Sequence, residues 1–101
     1  MKSSHLTEHH LYPKSRFPMY AHKEWNIKKV TRQEHEAWHF LFSLMTPQEA
    51  FDWLLSGSFQ LSAFDDRAMY AWNTLFDHMS NVEAAGIVLD EWMPDESPEG
   101  L

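Results

Sequence analysis

Five residues of this chain could do metal chemistry together: His9, His10, Asn26, His35 and His39. Neighbouring residues of an extended backbone project to opposite sides, so one imidazole of the His9-His10 pair can face a metal while the other faces water or substrate. His35 and His39 are spaced i,i+4, which on a helix places both rings on one face, close enough to share one divalent ion. Three neutral imidazoles suit zinc, nickel, copper or manganese and leave coordination positions open for a phosphate oxygen and a water. An open metal site beside an imidazole that is not bound to it is what hydrolysis of a phosphodiester requires.

Holding these residues takes a hairpin and a helix. Residues 1 to about 8 are polar and expected to be frayed at the start, ending in an extended segment that presents His9 and His10. Pro13 and Pro18 break regular structure and mark a loop. Asn26 leads into a short second strand, Ile27 to Val30. Thr31 then opens a helix, because T-R-Q-E sets a hydroxyl at the cap and Glu34 three residues later. Over about 32–44 the spacing puts Trp38, Leu41, Phe42 and Met45 on an apolar stripe, with His35 and His39 along its edge.

The segments EHHLYPKSR, WNIKKV and HEAWH, from Glu8 to His39, resemble the HNH (ββα-metal) endonuclease motif in its variant with a double His at the start and H-x-x-x-H at the end. The resemblance implies His9, His35 and His39 as metal ligands and His10 as the general base that activates water. It implies Asn26 as the residue that fixes the loop and orients His10. Pro13 and Ser15 fit the family's H-H-x-x-P-x-S run. Where that run normally continues into Gly-Gly, this chain has Arg16-Phe17. The resemblance covers about the first 45 residues.

Seven histidines are present, and His5, His22 and His78 fall outside the pattern. These three read as exposed or capping residues, His78 lying where a cation suits a helix C-terminus.

The capping signature recurs at T-P-Q-E from Thr46 and at S-N-V-E from Ser80. Four helices follow, at about 32–44, 47–55, 64–78 and 81–92. AWHFLFSLMTPQEAFDWLL from Ala37 matches AWNTLFDHMSNVEAAGIVL from Ala71 at an offset of 34 residues, pairing Trp38 with Trp72, Phe42 with Phe76, Met45 with Met79, Glu49 with Glu83 and Leu55 with Leu89. Two related helix pairs are implied. His35 and His39 correspond to Met69 and Asn73, so only the first copy can hold metal. Trp38, Phe42, Trp53, Trp72, Phe76 and Trp92 are expected to form a shared core rather than a base-stacking platform.

At 101 residues the chain is about one domain long. The expected class is α+β: a ββα-metal motif over 1–45, a helical extension over 46–93 and a disordered acidic tail over 94–101. No apolar stretch approaches 18 residues and the N-terminus lacks a signal-peptide layout, so no membrane span and a cytoplasmic location are expected. The absence of cysteine excludes disulfides and a Cys-x-x-Cys knuckle, so a metal must sit among histidines.

A net charge of −7 looks hostile to nucleic acid until it is divided along the chain. Residues 1–32 carry seven Lys and Arg against two acids, +5; residues 33–101 carry thirteen acids against Arg67 alone, −12. Lys14, Arg16, Lys23, Lys28, Lys29 and Arg32 are therefore the candidate nucleic-acid contacts, with Arg16 or Lys14 able to neutralise charge building on the phosphate. The expected cofactor is one divalent ion: zinc, nickel, manganese or magnesium. The expected partner is nucleic acid, DNA ahead of RNA, with a protein partner or a homodimer through the acidic helices. Three functions stay open. One is a metal-dependent nuclease. Another is a catalytically silent metal-binding acidic protein of the phage-inhibitor, DNA-mimic or adaptor kind. The last is a nuclease toxin or mobile-element module whose acidic half covers its own site.

Overall fold

Each helix begins where a side chain can satisfy backbone N–H groups that have no partner in the first turn. The Thr31 hydroxyl accepts from the Glu34 N–H at 3.0 Å while the Glu34 carboxylate accepts from the Thr31 N–H at 2.9 Å. The same reciprocal box forms at Thr46 with Glu49 and at Ser80 with Glu83. Asp65 caps the third helix alone, accepting from the Ala68 N–H at 2.9 Å.

The computed structural model describes residues 6–56 and 58–94. The polar start at 1–5 and the acidic segment 95–101, both expected to be irregular, lie outside the described residues. Strand β1 (Leu6–His10) pairs antiparallel with β2 (Ile27–Thr31), setting His9 opposite Lys28 and His10 opposite Ile27. Helices α1 (Arg32–Phe42), α2 (Pro47–Leu54), α3 (Asp66–Phe76) and α4 (Asn81–Ile87) follow, and α4 runs on into a π-helical turn at Val88–Trp92. The chain is thus α+β, a hairpin followed by helices. Among the described residues no helix is long and apolar enough to cross a membrane.

The sequence repeat is also a packing rule, since α1 lies on α3, and α2 lies on α4 and on the π turn. Equivalent residues meet or share a layer: Trp38, Phe42, Trp72 and Phe76 are all buried, and the Phe42 and Phe76 rings lie 6.3 Å apart. Ala50 and Ala84, also equivalent and both buried, keep the α2–α4 crossing close. Both first helices end at a non-glycine residue with positive φ, Ser43 at 54° and Asp77 at 46°, again 34 positions apart. Trp53 is the exception in the expected core, half-buried and edge-on to Phe42 and Phe59. The third helix is shorter than its apolar spacing suggests, because Asp65 is its cap and Asp77 turns left-handed.

Hairpin and helices share one core. Leu11 and Val30 from the hairpin join the same buried cluster as Phe76, Val88 and Trp92 from the second half. The π turn is what brings Trp92 back to the hairpin, where it stacks on Trp38 at 4.4 Å and lies 5.4 Å from the His9 ring.

Candidate metal centre

The hairpin register turns His9 inward, and burial makes its side chain anomalous. His9 is 1% exposed, walled by Trp38 and Trp92, yet neither ring nitrogen has a hydrogen-bond partner. A buried imidazole left this way loses its hydration with nothing in return, so an unpartnered one calls for a ligand. His35 and His39 supply the rest of the site. One ligand atom from each of the three histidines lies within 4.8 Å of the others. The trio grades from buried His9 through half-buried His35 to exposed His39, so the centre opens to solvent on one side.

The tautomers follow from the partners. The Thr7 hydroxyl donates to the Val30 carbonyl at 3.3 Å, and its oxygen accepts from His35 Nδ1 at 2.9 Å. His39 Nδ1 donates to the Ser43 carbonyl at 3.0 Å. Both rings therefore carry the proton on Nδ1 and offer the Nε2 lone pair, which is how supporting groups orient imidazole ligands. The positive φ of Ser43 is tied to the same device, because the residue that ends α1 turns its carbonyl onto the His39 ring one turn back. Burial, reinforced by the neighbouring His39 and His35, pushes the His9 imidazole down to about 3. Burial and then His39 also hold His35 below the ordinary imidazole value. Neutral rings are the form that binds metal.

His10 projects away from His9, as the strand alternation requires. Its Nε2 donates to the Ala21 carbonyl at 3.0 Å, which leaves Nδ1 as the acceptor. Asn26 is fully buried and clamps the loop: its Oδ1 accepts from the Tyr12 N–H at 2.6 Å and its Nδ2 donates to the Tyr12 and Tyr20 carbonyls, both at 3.1 Å. Since Tyr20 precedes Ala21, Asn26 reaches His10 through the peptide segment that holds its ring. His10, His35, His39, Lys14 and Ser15 together line a cleft of about 230 Å³.

The cations scatter. Lys14 walls the cleft, and Arg32 borders the depression beside His35 and His39. Lys28 lies over the Trp92 ring at 5.2 Å, Lys29 is 3.9 Å from Glu8, and Lys23 is exposed elsewhere on the loop. Arg16 is held in a bidentate pair with Glu49, at 2.7 and 3.1 Å, and also donates to the Leu44 carbonyl. Where the motif has Gly-Gly, Arg16 thus ties the loop to the start of α2, and Phe17 packs against Tyr12 and Tyr20. Sequence spacing did not point to Thr7, the Ser43 carbonyl or Glu49, since each acts through a contact made only by folding. Of the remaining histidines, His22 and His78 are exposed, His78 with its backbone N–H on the Asn73 side chain; His5 lies outside the described residues.

Comparison with protein-family models, with curated proteins and with solved structures gives no match.

Proposed function

We propose that this chain is a metal-dependent phosphodiesterase of the HNH (ββα-metal) kind, acting on nucleic acid. The observation that carries the reading is His9, a buried imidazole with both nitrogens unpartnered, within 4.8 Å of two histidines oriented for ligation. Three imidazoles favour zinc, nickel or manganese over magnesium, which prefers oxygen ligands. A divalent ion held there would act as a Lewis acid on the scissile phosphate and stabilise the leaving oxygen.

The protein's own residues supply the remaining chemistry. His10 Nδ1 accepts a proton from the attacking water, while the Nε2–H on the Ala21 carbonyl holds the ring and stabilises the imidazolium that forms. Asn26 keeps the Tyr20–Ala21 peptide in place and so keeps that ring aimed. Lys14, which lines the cleft with His10, His35 and His39, is the cation for charge developing on the phosphate, because Arg16 is already committed to Glu49.

The test is nicking of plasmid and of labelled DNA and RNA with zinc, nickel, manganese or magnesium added. Wild type should cleave; His10→Ala should keep its metal and lose cleavage by at least about a hundredfold. Absence of cleavage with every metal and both nucleic acids would sink the proposal. The exposed acids of the helical half would then favour the second reading, a metal-clasped acidic protein that binds another protein.

A further inference from the structure

Among the described residues two aromatic side chains are exposed. Phe40 is 49% exposed and Tyr70 is 69% exposed. Both line a cleft of about 390 Å³ between α1 and α3, floored by Ala37 and Ala71. The Arg67 guanidinium lies 5.2 Å over the Phe40 ring. Arg67 is also the sole Lys or Arg in residues 33–101, so the acidic half spends its only cation here. This cleft shares Glu36 and Phe40 with the depression bordered by His35, His39 and Arg32. The two depressions are therefore contiguous.

We infer that the Phe40–Arg67–Tyr70 cleft is a stacking subsite for an unpaired nucleobase of the strand whose phosphate lies at the histidine centre; this rests on the phosphodiesterase reading. Aromatic faces and a planar guanidinium match the π-face that every base presents. A duplex hides those faces within its own stack, so the occupant is a single strand or a splayed end. Glu36, whose carboxylate lies 3.7 Å from the exposed Arg32 guanidinium, and Asp66 line the cleft; carboxylates there repel a phosphate but accept hydrogen bonds from base amino groups. The base therefore enters while the backbone stays outside, on the side of the depression that Arg32 borders. Discrimination between bases should be weak, since stacking is tolerant of sequence.

The experiment measures anisotropy of fluorescein-labelled octathymidylate, and of an abasic strand of equal length, on zinc-loaded His10→Ala protein with and without Phe40→Ser and Tyr70→Ser. Both added changes are at exposed positions, and an unchanged melting temperature and zinc affinity will establish that the fold is intact. The expected result is about tenfold weaker binding of octathymidylate with little change for the abasic strand. Equal loss for both strands, no loss, or no measurable binding before the changes would overturn the subsite. So would a dimer that becomes monomeric in the variants, which would reassign the cleft to a second copy of the chain. Hydrolysis of bis(p-nitrophenyl) phosphate by wild type tests the phosphodiesterase reading separately. If that hydrolysis and strand cleavage are absent while the base-dependent loss persists, the catalytic reading falls and the subsite stands.

Discussion

The His9 imidazole, buried between two tryptophans, makes folding and metal binding depend on pH in the same direction, because both need the neutral ring. In the folded, metal-free protein it stays neutral down to about 3, whereas the ordinary value is 6.5. Between those values the unfolded chain binds a proton that the folded chain refuses. The contribution of His9 to stability is therefore complete above pH 6.5 and is lost progressively as pH falls toward 3, by about 5 kcal/mol at the limit. The check is urea unfolding of metal-free wild type and His9→Phe between pH 7 and 4: the wild type should lose more stability over that range. Parallel curves would mean that His9 is hydrated in solution. Behind the ligands, Thr7→Val removes the hydroxyl that accepts from His35 Nδ1 and should weaken zinc binding about tenfold while leaving the fold intact. Titration calorimetry reads this directly, and unchanged affinity would show that His35 needs no support from the strand.

The helices and their caps carry a different load. Thr46 and Ser80 occupy equivalent positions of the repeat and make the same reciprocal boxes. Thr46→Ala and Ser80→Ala should each cost about 1 kcal/mol of unfolding free energy. A difference beyond the error of chemical denaturation would show that the two helix pairs are not energetically equivalent. Glu49 does more than its counterpart Glu83, because Arg16 binds it and holds its carboxyl below the usual carboxylate range. That pair is about half exposed, so Arg16→Ala should cost no more than about 1 kcal/mol. A loss of cleavage far larger than this small destabilisation would return Arg16 to the phosphate. A loss no larger would leave it as the brace that stands where the motif has glycines.

Charge belongs to the whole molecule. Asp65, Asp66, Asp77, Asp90 and Glu91 are all exposed, and together with the other acids they set the helical half at −12 against +5 for the hairpin half. Such a field repels a long duplex from the helices and restricts the footprint to the histidine side. Changing three of these acids, Asp77, Asp90 and Glu91, to Lys should leave zinc binding unchanged and strengthen non-specific DNA binding with a steeper salt dependence. A salt titration that shows no change in affinity would place these acids far from any bound strand and favour a surface for a protein partner.

The residue spacing settled a good deal: the capping boxes at Thr31, Thr46 and Ser80, the hairpin followed by helices, the repeat at 34 positions and the shared helix face of His35 and His39, to which the family resemblance added His9. These are legible because a box spans three residues, a helix face repeats within four, and one hairpin turn brings β1 onto α1. Tertiary structure alone decided what surrounds them. Trp92 reaches His9 from 83 positions away through a π turn, Thr7 meets His35 across the hairpin, and Arg16 finds Glu49 instead of standing free. Phe40 and Tyr70, apolar in sequence like any core residue, end up beside solvent along the α1–α3 contact, whose buried side holds Phe42 and Phe76. Each of these contacts joins residues distant along the chain. The physical reason is that local rules determine which groups a segment can offer, whereas only packing determines which of them remain unpaired, and an unpaired buried imidazole is what marks this site.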